Sequence, residues 1–132
     1  MSNEIVWSPP EEIVKNSKLT KFLKFCKLSD YDELEKKSYA DPGWLWDNVI
    51  KFSDLKFYQS YEKIMDDSKG APWTKWCVGG KTNIVLNCID RHKEKKFFSE
   101  TFIFAEKEDG TKSSITYEEF NKQISKVGNA LK

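Results

Sequence analysis

The residues best suited to chemistry are concentrated between residues 73 and 92, in the run WTKWCVGGKTNIVLNCIDRH. Cys88 and His92 are four positions apart, so a helix would place a thiol and an imidazole on one face, where they could share a metal ion. A structural zinc site needs about four ligands, however, and Cys26 and Cys77 lack the spacing of zinc motifs. No Ser or Cys nucleophile arrangement surrounds His92. The pattern favours a buried structural thiol and a packed histidine.

Two further motifs carry only a weak chemical signal. Residues 80–82 read Gly-Lys-Thr, as at the end of a phosphate-binding loop, but that motif requires glycine at position 75, where this chain has Lys75. Asp66 and Asp67 offer carboxylates to a cation, but no further oxygen ligands follow at loop spacing. The sequence therefore predicts no catalytic, cofactor-binding or metal site in these residues.

The polar residues of the same run recur at helical spacing. A helix would align Asn83, Asn87, Asp90 and Arg91 on one face, beside an apolar face that carries Ile89. Buried amides and carboxylates are retained when each is hydrogen-bonded, and they then fix one arrangement of their neighbours. We expect a capped helix whose polar stripe holds loops in place, a structural role rather than a catalytic one.

Composition bounds the class of protein. The 132 residues suffice for one domain with a real core. They are 33% charged and 14% aromatic, a mixture typical of a folded domain that is not disordered. A net charge of +1 indicates no nucleic-acid partner and no acidic membrane surface. Three irregularly spaced cysteines predict no disulfide framework and fit a reducing cytoplasm. No apolar run approaches a membrane span, and the N-terminus MSNEIVWSPP does not resemble a signal peptide.

The elements that must position the central run begin with helices. Ser17 is expected to begin a helix with Phe22 on its apolar stripe, and Ser29 is expected to cap another that runs to Ala40. Asp41 and Pro42 begin a further helix rich in tryptophan. Residues 53–72 are predicted to form an irregular, extended connection that ends in a turn at residues 66–70.

The C-terminal part predicts a hairpin and a helix. The strand-like segments 101–105 and 112–115 flank Asp109 and Gly110, which suit a tight turn. Thr116 and Glu119 have capping-box spacing, and Tyr117 follows the cap. The helix has an apolar stripe at Phe120, Ile124, Val127 and Leu131.

The central run resembles the N-terminal segment of AMP-forming acyl-CoA synthetases, in particular the acetyl-, propionyl- and acetoacetyl-CoA synthetase branch. That family reads W-F-x-G-G-x-x-N-x-x-x-N-C-x-D-R-H, and Cys77 stands here in place of the usual aromatic residue. The pattern of residues 31–46 and the segment Thr116-Tyr117 are also similar to the family. The signature positions are Trp46, Trp76, Gly79, Gly80, Asn83, Asn87, Asp90, Arg91, His92, Thr116 and Tyr117.

The resemblance implies an α+β fragment of an α/β enzyme, with a helical, aromatic-rich N-terminal part followed by a β-hairpin and an amphipathic helix. It implies a helical lead segment with its connection over residues 1–72, and the signature helix, hairpin and start of the large domain over residues 73–132. The parent would convert ATP, a small carboxylic acid and CoA into acyl-CoA, AMP and diphosphate, with magnesium. The family's phosphate loop, ribose-binding aspartate and C-terminal lysine have no counterpart here.

Three functions stay open from the sequence. The first is a truncated synthetase segment that is inactive alone, uses no cofactor itself and has the remainder of the enzyme as its partner. The second is a non-enzymatic interaction module that associates with a separately encoded remainder or with itself as a homo-oligomer. The third, which the incomplete constellations disfavour, is a small enzyme that uses either Cys88 with His92 or the pair Asp66 and Asp67.

Overall fold

A computed structural model describes residues 6–132. Residues 1–5, part of the stretch predicted not to be a signal peptide, lie outside the described residues. The chain forms two compact units: the first combines residues up to Leu55 with Tyr61–Gly79, and the second combines Lys56–Ser60 with Gly80–Lys132. The division predicted for this chain, residues 1–72 and 73–132, stays a prediction.

Four helices form most of the first unit: α1 (Glu11–Asn16), α2 (Lys18–Cys26), α3 (Tyr31–Ala40) and α4 (Pro42–Phe52). The predicted caps of α2 and α4 are confirmed, because the side chains of Ser17 and Asp41 accept from backbone N–H groups of the first turn. The predicted cap of α3 is wrong by one residue. Asp30 caps this helix, while the carboxylate of Glu33 accepts from the backbone N–H of Ser29.

The core of the first unit is aromatic and aliphatic. Phe22, Leu28 and Leu34 are buried, and half-buried side chains of α2 and α4 pack around them. The ring of Phe22 meets that of Phe52 edge-on, with ring centroids 5.2 Å apart. Burial of these side chains from water is the main driving force for packing α2, α3 and α4 together.

The prediction of an irregular connection over residues 53–72 is wrong in part, because it contains a strand. β1 (Lys63–Asp66) pairs antiparallel with β2 (Lys75–Val78), with Met65 opposite Trp76. The turn predicted at residues 66–70 is confirmed, with the N–H of Gly70 donating to Asp67 O at 2.8 Å. The turn and a 3-10 helix at Ala71–Trp73 together join the strands. Each strand has only four residues, too few for a periodic pattern to reveal a pairing.

The second unit contains α5 (Ile84–Cys88), 3-10 helices at Asp90–His92 and Lys96–Ser99, strands β3 (Thr101–Glu106) and β4 (Lys112–Thr116), and helix α6 (Tyr117–Ala130). The helix predicted through residue 92 is wrong beyond Cys88. Ile89 leaves helical geometry, with φ −123° and ψ −60°, and its side chain is only 2% exposed. The break coincides with the burial of Ile89, and a regular apolar spacing does not reveal it.

The predicted hairpin and last helix are confirmed. β3 and β4 pair antiparallel from Thr101 opposite Thr116 to Glu106 opposite Lys112, and Gly110 supplies the positive φ of the turn at +78°. Thr116 and Glu119 form the expected capping box of α6. The α+β fold class is therefore confirmed. Within residues 6–132, no helix is long and apolar enough to cross a membrane.

Candidate functional site

The two signature tryptophans meet in the first unit. Trp46 on α4 and Trp76 on β2 pack edge to face, with ring centroids 6.1 Å apart. Together with Ile50, Ile64 and Cys77 they line an open cleft of about 310 Å³ whose walls are almost wholly apolar. Ligand pockets usually add a few converging polar groups to such walls, and the lining here supplies none. The cleft is therefore a packing surface rather than a site of polar recognition.

Cys77 lies in this cleft in a strained backbone conformation, with φ +49°. Burial, and then the negative charge of Asp47, raise the pKa of the Cys77 thiol. The Tyr61 hydroxyl donates a hydrogen bond to Asp47, which raises the pKa of Tyr61 to about 12. Because only a thiolate is a good nucleophile, these surroundings make Cys77 a structural thiol.

The two signature glycines follow β2. Gly79 adopts φ +78°, which disfavours any residue with a side chain, and the Glu62 carboxylate lies 3.4 Å from where a Cβ would stand. Gly80 begins the second unit, where Lys81 pairs with Gln59 in an isolated antiparallel bridge. The Gly-Gly pair therefore provides a backbone turn and no phosphate-binding cradle.

Asn87 lies at the centre of a hydrogen-bond network that we call the amide clasp, made of Asn87, Thr82 and Lys56. The N–H of Lys56 donates to Asn87 Oδ1 at 2.7 Å, and Asn87 Nδ2 donates to Lys56 O and to Thr82 Oγ1, each at 3.0 Å. The hydroxyl of Thr82 also donates to Lys56 O, at 2.7 Å. One amide thus satisfies both backbone groups of a residue 31 positions away.

The neighbouring polar signature residues also act on the local backbone or on local charges. Asn83 caps α5, where its Oδ1 accepts from the N–H of Val85 at 2.8 Å. Asp90 forms an ion pair with Lys93 at 2.8 Å. Arg91 is half-buried and its positive charge acts on His92. Each of these side chains serves the folded backbone or a neighbouring charge.

His92 and Tyr117, which are far apart in the sequence, meet in one aromatic cluster. The His92 ring lies 5.1 Å from the centroid of Phe97 and 6.2 Å from that of Tyr117. Burial, and then the positive charges of Lys95 and Arg91, lower the pKa of His92. Thr116 holds the adjacent end of α6 through the capping box with Glu119. The histidine is therefore a neutral packing residue in this cluster.

The structure separates the thiol and the imidazole that the sequence placed together. Since α5 ends at Cys88, that residue and His92 do not share a helical face. In the described part of the chain, no group of three or more His, Cys, Asp or Glu residues could hold a metal ion. The prediction of a buried thiol at Cys88 is wrong, because this residue is exposed. The carboxylate of Asp66 is engaged by Lys63 at 3.2 Å.

Sequence patterns missed the partners of the clasp. Thr82 belongs to the Gly-Lys-Thr run, which predicts no contact for it, and Lys56 lies in the stretch predicted to be an irregular connection. Neither residue has a distinctive pattern, because the contact that matters is to the Lys56 backbone, which any residue type supplies. The signal that points to it is Asn87 itself, whose amide both donates and accepts hydrogen bonds.

Known proteins resemble this chain throughout its length. Residues 31–88 match a family model described as acetyl-coenzyme A synthetase N-terminus. The acetyl-coenzyme A synthetase of Chlorobaculum tepidum is 28% identical over 132 residues, which are 100% of this chain and 18% of the relative. That of Methanothrix soehngenii is 31% identical over 96% of this chain and 19% of the relative. That of Helicobacter pylori is 31% identical over 89% of this chain and 17% of the relative. The chain spans about a fifth of the length of these relatives.

Proposed function

We propose that this chain, an N-terminal segment of the AMP-forming acyl-CoA synthetase type, is the structural N-terminal portion of a synthetase that makes acyl-CoA from ATP, a small carboxylic acid and CoA. AMP and diphosphate are the other products. The remainder of the enzyme supplies the groups that hold ATP, magnesium and CoA. The segment has no activity alone and acts by packing against that remainder. Three cysteines without disulfide bonds support a cytoplasmic location.

One observation carries this proposal: the polar signature side chains are engaged in contacts within the segment itself. Asn83 caps a helix, Asn87 satisfies the backbone of Lys56, and His92 packs in an aromatic cluster. A catalytic residue needs a group free to reach the reacting atoms. Polar residues spent on internal hydrogen bonds support a scaffold whose chemistry lies elsewhere.

Exposed apolar side chains of the second unit support a partner that covers them. Phe104 on β3 is 82% exposed, Val127 on α6 is 59% exposed, and Leu131, which caps the C-terminal end of α6, is 83% exposed. The backbone N–H of Leu131 donates to Val127 O, so the two residues are neighbours at the end of α6. Large exposed apolar residues that cluster on an element are typical of packing surfaces. The remainder of the synthetase is the partner that we assign to them.

The test is an exchange of segments. This chain replaces the matching N-terminal 19% of the Methanothrix soehngenii relative, and the formation of AMP is measured with acetate, ATP, magnesium and CoA. We expect the chimera to be active, the relative without its N-terminal part to be much less active, and the 132-residue chain alone to be inactive. AMP formation by the chain alone would refute the proposal, as would a folded chimera no more active than the shortened relative.

The second candidate is a non-enzymatic module that pairs with a separately encoded remainder or with a second copy of itself. The same exposed residues, Phe104, Val127 and Leu131, favour it. Sedimentation of the purified chain distinguishes the cases. A concentration-dependent dimer that Phe104→Ser dissociates supports self-association, whereas a monomer at every concentration leaves the remainder of the enzyme as the partner.

A further inference from the structure

We propose that His92 is a proton-operated latch of the second unit. The neutral imidazole closes the aromatic cluster against Phe97 and Tyr117, and protonation opens the cluster and frees the first turn of α6. This inference does not depend on the parent reaction, because it rests on contacts within the second unit alone.

The packing around the ring provides the first argument. The Nδ1 atom of His92 is enclosed and has no hydrogen-bond partner within residues 6–132. The ring faces Phe97 at 5.1 Å and Tyr117 at 6.2 Å between centroids. In the neutral imidazole, Nδ1 is a hydrogen-bond acceptor without a donor, which this environment tolerates. An imidazolium adds a positive charge and a second N–H group, and both need a partner. The site therefore stabilises the neutral form.

The cluster extends from His92 to the hairpin and to α6. Tyr117 also contacts Phe102 on β3, with ring centroids 4.4 Å apart, and Phe98 at 6.4 Å. Phe102 in turn lies 5.0 Å from Phe120 on α6. Tyr117 thus connects the His92 segment to both remaining elements, so moving the imidazole removes one wall of the packing that joins them.

The charges around the ring act in the same direction. Arg91 and Lys95 are both positive and both disfavour an imidazolium. Tyr117, which faces the ring from α6, is a phenol and carries no compensating charge. The carboxylates of the same 3-10 helix and of the facing helix end are engaged by other groups: Asp90 by Lys93, Glu118 by Lys122 and Glu119 by Thr116. Protonation therefore introduces a positive charge that the site does not compensate.

The direction of the effect follows from linkage. The pKa of His92 lies below its ordinary value of 6.5 in the folded chain, so the folded state binds the proton less readily than the unfolded state. The contribution of neutral His92 to the free energy of unfolding is fully present above pH 6.5 and is lost as the pH falls through the folded-state pKa. Each pH unit between the two pKa values corresponds to a tenfold change in the folding equilibrium.

The chain is well suited to a test, because His92 is its only histidine and all five tryptophans belong to the first unit. The imidazole is titrated by NMR from pH 8 to pH 4, with backbone amides of the second unit and tryptophan fluorescence recorded in parallel. We expect His92 to titrate below 6.5, and the amide signals of residues 97–120 to broaden or shift with the same midpoint while tryptophan fluorescence stays constant. A measured pKa of His92 at or above 6.5 would overturn the proposal.

Two variants sharpen the result. His92→Phe keeps a ring but cannot bind a proton, so the acid-induced change in residues 97–120 should disappear. Phe97→Leu opens the wall of the cluster and leaves His92 in place, so its imidazole should titrate closer to 6.5. An unchanged acid response in His92→Phe refutes the proposal. If either variant fails to fold, the titration of the unaltered chain still decides the question.

Discussion

The first unit and the signature segment of the second are held together in different ways. In the first unit, Phe22, Leu28 and Leu34 are removed from water between helices whose apolar residues recur at regular spacing. Between residues 80 and 92, the backbone is held by the amide clasp and by the cap of α5. Burial of this kind leaves a periodic pattern in the sequence, whereas specific hydrogen bonds to a distant backbone do not.

The difference indicates why Asn87 is a more demanding position than a core leucine. Many apolar side chains of similar volume fill a core with small losses. The amide of Asn87 both accepts from the N–H and donates to the carbonyl of Lys56, and few other side chains can do so. The predictions below test whether the first unit depends on burial and the signature segment on hydrogen bonds.

The largest effect is expected at Phe22. Phe22→Ala removes a buried ring that contacts Phe25 and Phe52, and it should lower the free energy of unfolding by about 3 kcal/mol or more. Urea unfolding followed by tryptophan fluorescence reports on this unit directly. Leu19→Ala on the same helix is the matched control, because Leu19 is 45% exposed. Equal losses in the two variants would contradict a core centred on Phe22.

A smaller effect is expected at the clasp. Asn87→Ala leaves the N–H and carbonyl of Lys56 without the amide and should cost about 1–2 kcal/mol. Asn87→Asp retains an acceptor for Lys56 N–H but loses both donors, so its loss should be intermediate. Hydrogen exchange at the Lys56 amide should accelerate most in Asn87→Ala. The exposed Asn129 gives the control variant Asn129→Ala, and comparable exchange at Lys56 in both variants would disprove the clasp.

The smallest effect is expected for the hydrogen bond between Tyr61 and Asp47 in the first unit. Asp47 accepts a hydrogen bond from Tyr61 and raises the pKa of that phenol to about 12. A raised folded-state pKa contributes stability below pH 10 that is lost as the pH rises toward 12. Because the pair is partly exposed, Tyr61→Phe should cost about 1 kcal/mol or less.

Absorbance at 295 nm measures this titration. One of the five tyrosines should ionise near pH 12, and Asp47→Asn should return it toward pH 10. If all five tyrosines ionise together near pH 10 in the folded chain, the contact contributes nothing measurable.

The sequence predicted the local features well. The caps at Ser17 and Asp41, the turn at Gly110 and the capping box of α6 all depend on residues close to one another along the chain, and all are confirmed. The resemblance to acyl-CoA synthetases is confirmed by the match of residues 31–88. The roles of the signature positions as a structural set stay a prediction that the variants above test.

The features that escaped prediction depend on long-range contacts. Strand β1 pairs residues 63–66 with residues 75–78, and helix α5 ends before Ile89, which is buried. Single-sequence periodicity carries no information about either partner. The same holds for His92, since its aromatic neighbour Tyr117 is 25 residues away along the printed sequence.

The most direct test of the central claim, that this segment is a scaffold without a ligand site of its own, is a calorimetric titration. The purified 132-residue chain is titrated with Mg-ATP and, separately, with CoA, after circular dichroism has shown that it is folded. The account predicts no saturable heat with either ligand, because the polar signature side chains are committed to internal contacts. Heat that saturates at micromolar Mg-ATP or CoA would contradict the account and would show that the segment itself carries a binding site.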